Sequence, residues 1–347
     1  MLKPDILTLQ RHLLALGRPK RGGHVRLSGV NVREYPSTTS AAFPQSAIDL
    51  RVRIGTLELA NPIMAASGTF GYGVEFAHLV DLKKLGGIVV KGLSLEPIAG
   101  APAPRLYPTP SGMMNAVGLQ NIGVRAFIAE KLPTLRAYPT AIIANVFGRT
   151  LAEYGEVIRI LEDAEGVSAY ELNISCPNVE KGGAEFTCNP EMAATVVTAA
   201  RRLAHRPLWV KLAPSVGRIG EFAQAVESAG ADALTIANTY PAMSIDVGTG
   251  KPRLGNGTGG LSGPAIRPIT LRLVWEASQK VQIPIIGLGG IETVEDVLEY
   301  LAAGAAAVQV GTAHFVDPNA SVTLADGLGK FLVTHKLSVI SMLRKVN

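Results

Sequence analysis

Cysteine is scarce in this sequence, in which Cys176 and Cys188 are the two examples among 347 residues. That number excludes a small disulfide-stapled secreted fold and is typical of a reducing cytosol, so we expect a cytoplasmic protein. Long apolar runs are lacking as well. The longest, 301–316, is interrupted by glycines and His314, whereas a spanning helix needs roughly 18 uncharged residues. The sequence therefore predicts no membrane span.

Aromatic residues make up 5% of the chain, and the net charge of +5 is confined to one end. Residues 1–47 hold seven Lys and Arg against two Asp and Glu, whereas residues 48–347 hold 26 of each sign. A groove that follows a phosphate backbone requires clustered cations with interleaved aromatic side chains. The balanced main body has no such stripe, so we predict no nucleic-acid partner.

Apolar residues, in contrast, are plentiful at 47%, and 37 glycines accompany a charged fraction of 18%. This composition supports a large buried core and excludes a disordered or fibrous chain. A single α/β barrel can take up roughly 250 residues or more, so the length fits one enzyme-sized domain with an appendage. We predict a basic extension over 1–47 and a catalytic domain over 48–347.

The extension carries Ile6, Leu9, Leu13 and Leu16 at helical spacing, followed by a Gly- and Pro-containing stretch at 17–23. This pattern predicts a short amphipathic helix. We interpret it as a surface arm that packs on the barrel or on a partner subunit, in preference to a membrane contact. A processed leader is the remaining alternative.

Eight short apolar runs recur along the main domain, each followed by a small or polar residue and then by a helix-like stretch. Near-continuous apolar strands are typical of a closed parallel barrel, whose strands are buried on both faces. We therefore predict an α/β fold, a (β/α)8 TIM barrel preceded by a hairpin. The alternative, an open doubly wound sheet, lacks a strand-linked G-x-G-x-x-G fingerprint. The hairpin is predicted at 50–54 and 57–60, the strands at 62–66, 87–91, 141–146, 169–174, 208–212, 233–237, 283–288 and 306–310, and the helices at 74–85, 151–162, 190–203, 219–229, 265–279 and 293–303.

Catalytic groups of barrel enzymes gather at the carboxyl ends of the strands. Those ends hold amides, glycines, a thiol and two lysines here, but almost no carboxylate. The glycines after the seventh and eighth strands suit a phosphate held by backbone N–H groups. Lys91 and Lys211 point to a bound anion, because an internal ion pair would need carboxylates that are scarce at neighbouring strand ends. We predict no metal site.

The two cysteines differ in their surroundings. Most cysteines are inert core residues, and nothing near Cys188 argues otherwise. Cys176 lies between Asn173 and Asn178 in a loop that continues through 182–183, a glycine pair suited to a mobile lid. Cys176 is therefore the candidate catalytic thiol.

The stretch 173–179 with the 182–183 glycines resembles the active-site loop of class 1 dihydroorotate dehydrogenases, the flavin enzymes of pyrimidine biosynthesis. The segments 61–68, 115–121 and 259–266 are similar to other motifs of that family, in the same order along the chain. The resemblance spans roughly residues 48–335. The 182–183 loop and the 259–266 segment are most like the 1B subgroup, whose FAD and iron-sulfur subunit passes electrons to NAD.

The resemblance implies that FMN takes a hydride from C6 of (S)-dihydroorotate while a base removes the C5 proton, giving orotate. The loop cysteine is the base in class 1, which assigns Cys176 as catalytic together with Lys91. The expected substrate residues are Lys91, Asn115, Gly118, Leu119, Asn173, Asn178, Asn238 and Thr239. The expected FMN residues are Ala66, Ser67, Lys91, Asn145, Asn173, Lys211, Gly263, Gly289, Gly290, Gly311 and Thr312.

Two rival functions share part of this pattern. An FMN barrel of the dihydropyrimidine dehydrogenase type would bind an uncharged base without the carboxylate. A non-redox phosphate-binding barrel would keep the late glycines without a flavin. A noncatalytic interaction protein would leave the inward lysines and amides unexplained. We also expect a homodimeric core and a possible FAD and iron-sulfur electron-transfer subunit as partner.

Overall fold

The computed structural model describes residues 48–174, 189–214 and 217–338. In these residues eight parallel strands close into a barrel. The barrel strands are β3 (Ile63–Ala65), β4 (Gly87–Val89), β7 (Ala141–Val146), β8 (Ala169–Asn173), β9 (Leu208–Leu212), β10 (Ala233–Ile236), β15 (Ile285–Leu288) and β16 (Ala305–Val310). Their order around the barrel is β10-β15-β16-β3-β4-β7-β8-β9. The predicted TIM barrel is therefore confirmed, with its strands close to their predicted bounds.

The predicted hairpin is also confirmed. Strands β1 (Val52–Ile54) and β2 (Leu57–Leu59) pair antiparallel ahead of the barrel. Ile54 and Leu59 are buried in one cluster with side chains of the barrel interior, including Trp209 and Ile143. The hairpin thus supplies apolar side chains to the interior layer that lies farthest from the carboxyl ends of the strands.

In the described residues six longer helices follow barrel strands, and three of them begin at a residue whose side chain caps the helix. Thr150, Asn189 and Thr293 each accept a hydrogen bond from a backbone N–H in the first turn of their helix. Such caps satisfy amide groups that a helix start otherwise leaves unpaired. The helices are α1 (Leu151–Glu162), α2 (Pro190–Arg201), α3 (Ile219–Ser228), α4 (Arg267–Ser278), α5 (Val294–Ala302) and α6 (Ala320–His335).

The helix predicted over 74–85 is wrong. The structure has two short 3-10 turns there, Val74–Phe76 and Leu82–Lys84. Asp81 interrupts the run with an extended backbone, and its side chain accepts from the backbone N–H of Lys83 to start the second turn. A local side-chain bond of this kind competes with helix continuation.

A four-stranded antiparallel sheet, which the sequence did not predict, lies in the loops of the barrel. Its strands are β5 (Leu106–Thr109), β6 (Gly112–Asn115), β11 (Tyr240–Met243) and β14 (Thr258–Ser262), in the order β11-β14-β6-β5. A further two-stranded ribbon joins β12 (Ile245–Asp246) to β13 (Lys251–Pro252). The sheet joins the β4–β7 connection to the β10–β15 connection, so loops far apart in sequence form one wall.

The predicted extension over 1–47 lies outside the described residues, and the domain boundary after residue 47 stays a prediction. None of the helices in the described part of the chain combines the length and the apolar character needed to cross a membrane.

Candidate active site

A cavity of about 430 Å³ lies at the carboxyl ends of the barrel strands, a volume within the range of small-molecule sites. Every predicted site residue that the structure describes contributes to its lining, although the residues come from all eight strand ends and two loops. Cys176 and Asn178 lie outside the described residues. The predicted residues in the lining are Ala66, Ser67, Lys91, Asn115, Gly118, Leu119, Asn145, Asn173, Lys211, Asn238, Thr239, Gly263, Gly289, Gly290, Gly311 and Thr312.

The barrel interior is built in layers, because side chains two residues apart on a strand point to the same side. Ile143, Trp209 and Ala307 belong to an apolar layer. Two residues further along the same strands are Asn145, Lys211 and Gln309, all buried. The cavity therefore has a polar floor above an apolar base.

The inference that both lysines lack an internal carboxylate partner was wrong for Lys211, whose partner lies inside a strand and not at a strand end. Glu171, in the middle of β8, is fully buried and lies 3.9 Å from Lys211 through its Oε1. Glu171 precedes the strand end and follows the apolar residues Ala169 and Tyr170, so the residue pattern alone did not indicate an ion pair. Lys211 thus has an internal carboxylate partner.

The two lysines of the cavity have lowered pKa values for different combinations of reasons. Burial lowers the pKa of Lys211, and the charge of Glu171 acts in the opposite direction. Burial also lowers the pKa of Lys91, and the nearby positive charge of Arg105 lowers it further. No carboxylate in the described residues lies within ion-pair distance of Lys91. An anionic ligand near Lys91 would favour its charged form.

The amide side chains are held by local hydrogen bonds. Asn115 Nδ2 donates to the carbonyl of Gly260 at 3.2 Å, which ties the end of β6 to β14. Asn238 Oδ1 accepts from the backbone N–H of Thr239 at 2.8 Å. Amides offer a donor and an acceptor without adding charge, so they suit a planar ligand with alternating N–H and carbonyl groups.

The loop 99–121 forms one side of the cavity, and Arg105 holds it together. Its guanidinium donates to the carbonyls of Ala99 and Ala101 and to Gln120 Oε1, the last at 2.7 Å. Gln120 also lines the cavity, and neither residue was predicted from the sequence. Gly118 has a φ of +70°, and a side chain there would collide with Ala101. The backbone of this segment is therefore fixed before any ligand arrives.

Of the late glycines, Gly311 leaves room where a ligand can approach the backbone. Gly290 has a φ of +68°, a conformation that favours glycine, and Gly311 is followed by Thr312, whose hydroxyl donates to Ser262 Oγ at 2.8 Å. A Cβ built on Gly311 would have its nearest neighbour 3.7 Å away, at Ala66. The open space at Gly311 is thus part of the cavity.

His314 lies in the 3-10 turn that follows Gly311. It is buried, its Nε2 lies 2.9 Å from Ser321 Oγ, and its ring packs on Phe70. Burial lowers the pKa of His314 to about 4, so the imidazole is neutral at neutral pH. His314 was not predicted as a site residue, because a lone histidine after a strand is an ordinary core residue.

A closed barrel with a polar cavity at its strand ends defines a (β/α)8-barrel enzyme. The chain belongs to the dihydroorotate dehydrogenase family, whose profile, described as "Dihydroorotate dehydrogenase", matches residues 49–332. The family consists of flavin-dependent oxidoreductases. The predicted activity, oxidation of dihydroorotate to orotate in pyrimidine biosynthesis, is confirmed by this membership.

Relatives of known name support the same assignment. The chain is 57% identical over 283 residues to "Putative dihydroorotate dehydrogenase A (fumarate)" of Solibacter usitatus, covering 82% of this chain and 93% of the relative. It is 51% identical over 295 residues to "Dihydroorotate dehydrogenase B (NAD(+)), catalytic subunit" of Geotalea uraniireducens, covering 85% and 97%. A protein of the latter name from Geotalea daltonii is 52% identical over 295 residues, with the same coverage. The predicted likeness to the 1B subgroup is confirmed.

Among solved structures, the crystal structure of a dihydroorotate dehydrogenase from Eimeria tenella in complex with ferulenol is similar, with a TM-score of 0.71. The match covers 85% of this chain and 88% of the Eimeria tenella chain, at 20% sequence identity. This likeness supports the barrel fold. The family match excludes the non-redox barrel that remained as an alternative from the sequence.

Proposed function

We propose that the cavity binds FMN and (S)-dihydroorotate, and that Cys176 removes the substrate proton. One observation carries the FMN assignment: the buried cation Lys211 and the buried amide of Asn145 both lie on the cavity floor. The Oδ1 atom of Asn145 has no hydrogen-bond partner among the described residues. A flavin carries carbonyl oxygens and an N–H on its pyrimidine ring. A cation and an unpartnered acceptor are complementary to these groups.

The residues present fit FMN at both ends of the cavity. The open space at Gly311, with Gly289, Gly290 and Thr312 beside it, would accommodate a phosphate through backbone N–H groups and hydroxyls. Ala66, Ser67, Lys91, Asn173 and Gly263 would complete the cofactor contacts. When bound, FMN accepts the hydride that leaves the substrate.

Binding of the substrate is assigned to the amides and to Lys91. Asn115, Asn173, Asn178 and Asn238, with Thr239, would hold the pyrimidine ring through paired donors and acceptors. Burial and the charge of Arg105 lower the pKa of Lys91, and a substrate carboxylate beside it would favour its charged form. Backbone groups of Gly118 and Leu119 would assist, because the loop that carries them is already braced by Arg105.

Loading with FMN is the direct test of the cofactor assignment. The purified full chain should be yellow, should release FMN on heat denaturation, and should bleach under anaerobic dihydroorotate. A colourless protein that takes up no FMN would contradict the assignment. Bleaching by a dihydropyrimidine that lacks the carboxylate, and not by dihydroorotate, would favour the dihydropyrimidine dehydrogenase type.

Replacement of Lys211 by alanine is expected to raise the FMN dissociation constant, or to slow FMN reduction by dihydroorotate, by about tenfold. The change removes the buried cation and leaves the carboxylate of Glu171 without its partner. FMN fluorescence and anaerobic stopped-flow absorbance measure the two quantities. Lys330→Ala on α6, at an exposed lysine outside the cavity, is the control. Unchanged FMN content together with an unchanged reduction rate would reject this role for Lys211.

We propose further that the reduced enzyme passes its electrons through an FAD and iron-sulfur partner subunit to NAD. This proposal is supported by the relatives named as catalytic subunits of the NAD(+) enzyme, whereas the relative named for fumarate supplies the alternative acceptor. The isolated chain should reduce dyes with dihydroorotate and should reduce NAD at most slowly. Addition of such a subunit should restore NAD reduction. Rapid turnover of the isolated chain with fumarate, with quinone or with NAD would refute the proposal that electrons pass through a partner subunit to NAD.

A further inference from the structure

Glu171 is the centre of a buried hydrogen-bond network beneath the cavity. Its Oε1 accepts from Asn145 Nδ2 at 2.8 Å, and its Oε2 accepts from Thr235 Oγ1 at 2.8 Å and from Gln309 Nε2 at 2.6 Å. All four side chains have no solvent-exposed area. They come from β7, β8, β10 and β16, so the network connects both sides of the barrel.

The network determines which end of the Asn145 amide is left for a ligand. Because Nδ2 donates to Glu171, the other end is Oδ1, the buried acceptor without a partner among the described residues. Asn145 itself lines the cavity. A carboxylate has acceptors and no donor, so Glu171 permits this orientation of the amide and disfavours the reverse one.

The same carboxylate acts on Lys211 through charge. At 3.9 Å the contact is too long for a hydrogen bond, but in a buried site the attraction is screened little by water. Glu171 is the titratable group that acts on Lys211 within the described residues, and it opposes the effect of burial. Thr235, on the neighbouring strand β10, and Asn173, on β8, carry no charge. Lys91 is a second cation in the lining of the cavity.

We propose that Glu171 is a positioning residue for the flavin: it presents the Asn145 Oδ1 acceptor to the cofactor and places a carboxylate 3.9 Å from Lys211. The inference rests on the proposed FMN site, and Glu171 itself does not line the cavity. Its carboxylate contacts two side chains that do, Asn145 and Lys211. The proposed effect of Glu171 on FMN binding is therefore exerted through Asn145 and Lys211.

Glu171→Gln tests both parts, because glutamine has nearly the same shape but offers an N–H₂ group. That group takes one of the two oxygen positions. At the Oε1 position it faces the amide of Asn145, which then turns its oxygen inward, whereas at the Oε2 position it faces Thr235 and Gln309. In either orientation Lys211 loses the charge that offsets its burial. The FMN dissociation constant should rise about 10- to 100-fold. It should also increase as the pH rises, because Lys211, without the charge that offsets its burial, loses its proton more readily. FMN released on serial dilution of the holoenzyme, followed by fluorescence, measures both effects.

Thr235→Val is the matched control, since it removes one hydrogen bond to the same carboxylate without changing charge. We expect an FMN affinity within about threefold of the parent and no pH trend, because a neutral hydrogen bond contributes little net free energy. The double variant E171Q/K211M buries no unpaired charge and folds more readily. It should lose the pH trend while still binding FMN about tenfold more weakly than Thr235→Val does.

Three outcomes overturn the proposal. The first is an FMN affinity of Glu171→Gln equal to that of the parent. The second is a weaker FMN affinity that shows no pH trend and is matched by Thr235→Val. The third is a pH trend that persists in the double variant. Absence of FMN from the parent protein is a different result, because it refutes the proposed cofactor and not the role of Glu171.

Discussion

Replacement of Cys176 by alanine is expected to lower the turnover of dihydroorotate by about 10²- to 10⁴-fold while the FMN content stays at the parent level. The thiolate is the proposed base, and loss of a positioned base costs an enzyme this much in rate. Most of the proposed FMN residues lie on other strand ends, and Asn173 on β8 is left unchanged, so the cofactor site should be unaffected. Steady-state dye reduction gives the turnover, and the flavin absorbance gives the FMN content.

Cys188→Ala is the matched control, because it removes the other thiol of the chain and should leave turnover unchanged. Cys176→Ser should rescue little, since a hydroxyl requires activation of its own. The parent rate should rise with pH towards about 8.5, the usual pKa of a free thiol, because the thiolate is the reactive form. Parent-like turnover in Cys176→Ala would remove this cysteine from the mechanism.

Gly311→Leu is expected to weaken FMN binding by about 10²-fold or more. The nearest neighbour of an added Cβ is 3.7 Å away, so this first carbon collides with no protein atom. The rest of the leucine side chain then extends into the open space of the cavity at Gly311. The proposed phosphate position is then filled, and overpacking of a fitted site costs about 1–3 kcal/mol or more. The FMN content after gel filtration and the dissociation constant measured by fluorescence test the prediction.

The control for this variant is Gly217→Leu. An added Cβ at Gly217 meets nothing within 4 Å, and the residue is exposed and lies outside the cavity lining. Its FMN content should equal that of the parent. If Gly311→Leu also keeps its FMN, with an unchanged melting temperature, then the phosphate does not lie at the end of β16.

The strands of the barrel were predictable because each is a short continuous run of apolar residues, and such a run by itself indicates a buried strand. The same reasoning failed at 74–85, where the spacing of apolar residues suits a helix but Asp81 caps a separate turn. Glu171 was missed for a related reason. One charged residue inside an apolar strand does not reveal its partners, and those partners are 26, 64 and 138 residues away in the chain.

The wall formed by the antiparallel sheet shows the same limit. Met114 on β6 pairs with Leu261 on β14, although neither strand has a strong pattern of its own. Their pairing depends on how the barrel brings the two connections together. As a result, the loop braced by Arg105 and the cavity residue Gln120 could not be predicted, whereas the Asn115–Asn121 segment itself could be recognised by its residues.

The amino-acid sequence by itself determined the barrel, the family and the residue types at the strand ends, because strand periodicity and short motifs are local properties of the chain. The tertiary structure alone decided which of those residues share a cavity, that Lys211 faces a buried carboxylate, and which end of the Asn145 amide remains for a ligand. These depend on the register between neighbouring strands, such as Asn145 with Glu171 and Asn173 with Lys211. Register is set by closure of the whole barrel, and no short segment contains that information.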